Sequence, residues 1–166
     1  MSIWWPFLFR WLHILSGVMW IGLLWYFNFV QTPSMPKIPD EQKPAIGKVI
    51  APTALFWFRW GAMGTIVTGI ILAGFLHYFP QVIWLDLGPA NNHQYMPIGF
   101  GMWLGTIMWF NVWFIIWPNQ KKALGLVDAD AETKKKAGRS AMLTSRLNTM
   151  LSIPMLYCMI GQGTLG

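Results

Sequence analysis

Charge is what this sequence has least of. Only 11% of its 166 residues are Asp, Glu, Lys or Arg, where a water-soluble domain carries about 25%. The acidic residues (Asp40, Glu41, Asp86, Asp128, Asp130 and Glu132) all fall between the long apolar runs. A run without a carboxylate has no relay for protons or cations, which speaks against a pump or ion transporter. The single cysteine, Cys158, excludes an internal disulfide and the CxxCH pair that attaches a c-type haem. A glycine-rich phosphate loop, HExxH and GxSxG are all missing, so nothing points to a hydrolase.

What remains is apolar. Hydrophobic residues make up 55% of the chain, with 12 tryptophans. A helix that crosses a bilayer needs about 20 mostly apolar residues. Four stretches meet that length, at about 4–30, 53–79, 97–117 and 140–160. Backbone groups in lipid must bond within their own segment, so these are expected to be helices. The first run is too long for a signal peptide and lacks a small-residue cleavage site, so it is expected to stay as a membrane helix. The expected architecture is all-α: an integral membrane four-helix bundle, one domain over residues 1–166. Trp4, Trp5, Trp84 and Trp117 sit where an interfacial aromatic belt belongs.

The net charge of +6 reads as topology, not as a nucleic-acid footprint. Lys37, Lys43 and Lys48 lie between the first two runs; Lys121, Lys122, Lys134, Lys135, Lys136 and Arg139 lie between the last two. The segment from Pro80 to Met96 and the tail after Ile160 carry neither Lys nor Arg. Basic loops stay cytoplasmic, so both termini are expected on the periplasmic side of a bacterial inner membrane. The run "DADAETKKK" reads as a short surface helix against anionic headgroups.

This topology sorts the polar residues by depth. His13, His77 and His93 all fall on the outer side. Gly61, Thr65, Gly69, Ala73 and His77 recur every four residues and share one helix face. Such a small-residue row receives either another helix or a flat cofactor. Gly17 leaves similar room one turn after His13. Neutral imidazole suits haem iron, so haem b is the expected cofactor. His13 and His77 are then the candidate ligands, and His93 is the alternative second one. Arg10 is a candidate propionate partner. A copper or zinc site on the three histidines competes, and needs their nitrogens to converge within roughly 2 Å of one ion. On the inner side, Arg59, Asn111, Arg146 and Asn148 form a candidate polar or anion-binding cluster. Its alternatives are arginines that snorkel to headgroups and amides that glue helices.

The blocks "RWLHILSGVMWIGLLWYFNFVQTP", "FWFRWGAMG", "GMWLGTIMWFNVWFIIWPNQKK" and "SRLNTMLSIPML" resemble the membrane domain of the membrane-bound urate hydroxylase family, the urate oxidase N-terminal domain. The first block is also similar to HemJ-type haem-binding four-helix proteins, whose first-helix histidine His13 matches. The resemblance implies an integral membrane redox protein that passes electrons to a c-type cytochrome. The chain looks shorter than that family's membrane region and carries no cytochrome c motif, so a separate cytochrome or a second copy is expected to supply it. The expected function is haem b electron transfer. The alternatives are oxidation of urate or another small substrate, and an accessory role in a respiratory complex.

Overall fold

The structure, a computed structural model, describes residues 3–85, 87 and 94–161. These residues fold into helices, with no strand among them. There are four long rods: α1 (Trp4–Lys37), α2 (Lys43–Phe75), α3 (Met96–Ala123) and α4 (Ala131–Gly161).

Prolines shape three of the rods. A proline inside a helix lacks an N–H and its ring collides with the carbonyl four residues back. The chain relieves this by widening that turn. Tyr26–Gln31 precedes Pro33, Ile46–Ile50 precedes Pro52 and Asn111–Ile116 precedes Pro118, and each segment is π-helical. The carbonyls those prolines would strike, on Phe29, Lys48 and Phe114, lie inside the widened segments. Pro44 and Pro97 instead sit in first turns, where the missing N–H is unpaired in any case.

α1 packs along α2, and α3 along α4. The pairs close on one shared core: Trp20, Ile21 and Leu24 from α1; Leu55, Phe58 and Ala62 from α2; Met108, Val112 and Ile116 from α3; Ala141 and Met155 from α4. Large apolar side chains also cover the exterior, among them Phe7, Ile70, Phe114 and Met150. That surface suits lipid and not water.

α1, α2 and α3 are long and apolar enough to cross a membrane. α4 is more polar, and three of its polar residues, Asn148, Thr149 and Ser152, are buried. The basic stretch expected as a separate surface helix is the start of α4. Asp130 caps it, accepting from the Thr133 backbone N–H at 2.7 Å and the Thr133 hydroxyl at 2.8 Å. These two bonds hold the Asp130 carboxyl below its ordinary pKa.

The second helix stops at Phe75, four residues short of the expected end. Tyr78 N–H bonds the Ala73 carbonyl at 3.0 Å and His77 N–H bonds that of Gly74 at 3.2 Å. This pair of bonds is a Schellman cap. His77 takes its left-handed position, φ 56°, where glycine is usual and histidine is among the tolerated residues. Pro80 follows and disfavours helix in the residue before it.

Candidate functional site

The row on α2 faces α1. A Cβ on Gly61 would lie 3.1 Å from the Trp20 backbone nitrogen, and one on Gly64 would lie 2.8 Å from Ser16 Oγ. At Gly69 the neighbour is the His13 ring itself, 2.9 Å away at Cε1. Gly17 meets Thr65 more loosely, at 4.0 Å, and Ala73 is buried. Of the two occupants considered for this row, a helix fills it from Gly61 to Gly69. No slot for a porphyrin plane remains between α1 and α2 along that stretch.

His13 is half-buried, its ring lying on the bare backbone at Gly69. Its Nδ1 stands 2.8 Å from the Thr65 carbonyl oxygen and 3.5 Å from Thr68 Oγ1. A carbonyl oxygen only accepts, so Nδ1 carries the proton and Nε2 keeps its lone pair. A backbone carbonyl on one nitrogen is how metal-bound imidazoles are oriented on the other. The Thr65 hydroxyl donates to Gly61 O at 2.8 Å and the Thr68 hydroxyl to Gly64 O at 2.6 Å. Both threonines thus bond within α2, and Thr65 O accepts from the imidazole as well as from the Thr68 hydroxyl at 3.3 Å. Arg10, one turn earlier on α1, is exposed.

His77 does not join His13. It is exposed and has left the helical register. It lies eight residues beyond Gly69, the site His13 covers, which at about 1.5 Å per residue is on the order of 10 Å along the axis. The cap ends the helix before His77, so the helix that was expected to fix the direction of its side chain does not reach it. His93 lies outside the described residues. Among the described residues no group of three His, Cys, Asp or Glu side chains is gathered for a metal.

The inner polar set separates into parts. Asn111 Nδ2 donates to Asn148 Oδ1 at 2.8 Å, and Asn148 Nδ2 donates to the Met108 carbonyl at 2.9 Å. These amides join α3 to α4. Arg59 goes elsewhere. Its Nε donates to the Leu55 carbonyl at 3.2 Å, and its guanidinium carbon lies 3.3 Å from the Trp117 ring centroid and 6.0 Å from that of Trp113. Arg146 is exposed. The four residues therefore do not form one anion site.

Two further polar pairs tie α1 to α4. Trp25 Nε1 donates to Ser152 Oγ at 2.9 Å, and Asn28 Nδ2 donates to Ser145 Oγ at 2.8 Å. The signal was present in α4: Ser145, Asn148 and Ser152 recur at three- and four-residue steps on one face. Among the four helices lies a cavity of about 210 Å³, lined among others by Asn28, Gln31, Phe58, Gln120 and Ser145. The side-chain oxygens of Gln31 and Gln120 are buried there without a hydrogen-bond partner.

Residues 92–163 match the family described as urate oxidase N-terminal. That stretch holds α3 and α4, so the resemblance seen in the residues is matched over these two helices. No curated protein and no solved structure matches the chain, and the likeness to HemJ-type proteins has no counterpart in these comparisons.

Proposed function

We propose that the chain is a multi-pass protein of the bacterial inner membrane that binds haem b through His13 and passes electrons to a periplasmic cytochrome c. The observation that carries this reading is the His13 tautomer. Its Nδ1–H is committed to the Thr65 carbonyl, which leaves the Nε2 lone pair as the ligand offered to iron. Haem supplies a one-electron couple tuned by such a ligand. Arg10 is the cation offered to a propionate. The second axial position falls to a group beyond those described, His93 or a neighbouring copy in a homo-oligomer. Copper is the lesser alternative, since imidazole serves it too.

The topology that supports this reading is a four-helix bundle with both termini periplasmic. α4 serves as the fourth crossing. Its polar residues bond inside the bundle, while Leu143, Leu147, Met150, Tyr157 and Ile160 form an exposed apolar stripe. The basic segments around Lys37–Lys48 and Lys121–Arg139 lie on the cytoplasmic side.

A pyridine haemochrome spectrum of the purified protein tests the proposal. Protein from haem-replete cells should show a b-type spectrum, and a colourless preparation would overturn it. His13→Ala should remove or shift the Soret band, while His77→Ala should leave it unchanged.

The uncharged inner cavity, with its two unpartnered amide oxygens, favours a second reading: oxidation of a small substrate such as urate. Substrate-dependent reduction of the chromophore, weakened by Gln120→Leu, is the expected result. Indifference to every purine tried would remove this reading and leave the first intact.

A further inference from the structure

On the inner flank of α2 and α3, two cations share one indole. The Arg59 guanidinium stacks on Trp117, its carbon 3.3 Å from the ring centroid, and Lys121 Nζ lies 5.7 Å from the same centroid. Neither has an acidic partner: the ion pairs among the described residues are Lys43–Asp40 and Lys136–Glu132. Stacking engages the face of the guanidinium, and the Leu55 carbonyl takes only Nε. The Nη donors in the guanidinium plane remain free, and that fork matches a phosphate.

We propose that Arg59, Trp117 and Lys121 form a headgroup site for an anionic phospholipid of the inner leaflet. A free phosphate would use the same donors, but the surroundings favour a lipid. One turn before Trp117 in α3, Trp113 meets Trp60 of α2 with ring centroids 5.8 Å apart. Phe110 and Phe114 stack beyond it at 4.8 Å. Trp60, Phe110 and Phe114 are exposed apolar side chains. The cations therefore stand at the head of a ridge shaped for an acyl chain. The site rests on the membrane reading of α2 and α3 and needs no haem, so it stands or falls apart from the redox proposal.

Native mass spectrometry from nanodiscs of equal parts phosphatidylglycerol and phosphatidylcholine tests it. The protein should retain phosphatidylglycerol over phosphatidylcholine by about fivefold or more, and Arg59→Gln should abolish that preference. Arg59→Lys keeps the charge but loses the stacked fork, and should retain only part of it. Lys121→Gln should lower it less. If Arg59→Gln does not fold, Arg59→Lys and Trp117→Leu carry the test. Equal retention of the two lipids, or an Arg59 variant that keeps full preference, would overturn the site. Displacement of the lipid by millimolar inorganic phosphate would overturn the lipid assignment.

Discussion

Between α1 and α2 the helices meet where side chains are missing. Gly61, Gly64 and Gly69 let the backbone and side chains of Trp20, Ser16 and His13 come within 3.1 Å of where a Cβ would sit. Between α3 and α4 the helices meet through polar groups, Asn111 on Asn148 and Asn148 on the Met108 carbonyl. One seam depends on shape and the other on hydrogen bonding. The residues matched to the urate oxidase N-terminal family, 92–163, cover the second seam. The first carries the preset imidazole. In an apolar solvent neither seam can rely on hydrophobic burial, so each needs close backbone approach or bonded polar groups.

Substitutions should tell the seams apart. Gly61→Leu forces atoms into the Trp20 backbone, which cannot rotate away. A loss of about 2–3 kcal/mol is expected in reversible unfolding from mixed micelles. Gly105→Ala on α3, where nothing stands within 4 Å of the new Cβ, should be neutral or stabilising. Equal effects at the two glycines would erase the contrast. Asn148→Leu leaves Asn111 without its acceptor and should cost about 1–2 kcal/mol. Adding Asn111→Leu should then cost less than it does alone, and strict additivity would mean the amides are not coupled.

Gly69→Ala touches the imidazole. Its Cβ would lie 2.9 Å from His13 Cε1, so the ring must turn and loosen its bond to Thr65. A shifted Soret band in the haem-loaded protein is the expected sign, and an unmoved band would detach His13 from the chromophore. The smallest effect concerns the start of α4. The folded state holds the Asp130 carboxyl below its ordinary pKa of 3.8, first through the Thr133 backbone N–H. The stability it contributes is complete above that ordinary value and fades as pH falls through the lowered one. Amide exchange in the first turn of α4 should quicken over that acid range, and Asp130→Asn should flatten the response.

Much of this was readable before any coordinates. Gly61, Thr65 and Gly69 recur every four residues, and a helical period alone puts them on one face. What met that face was not readable, since helix and porphyrin ask for the same small residues. The sequence puts Asn111 and Asn148 in one cluster with Arg59 and Arg146, and only the structure joins the two amides to each other. Arg59 was grouped with them by depth alone. Its direction around the helix sends it to Trp117 instead, and depth carries no information about direction. His77 looked like the last member of a straight row. The cap that removed it depends on backbone torsions set by local bonding and a nearby proline.

The apolar runs by themselves determined four helices and the membrane character. Those properties follow from local sterics and from transfer between water and lipid, which act residue by residue. Tertiary structure alone decided which face of each helix met which neighbour. It filled the small row with α1, laid His13 on Gly69, and set Arg59 against an indole. Such contacts depend on the relative rotation of distant segments, which no local pattern encodes.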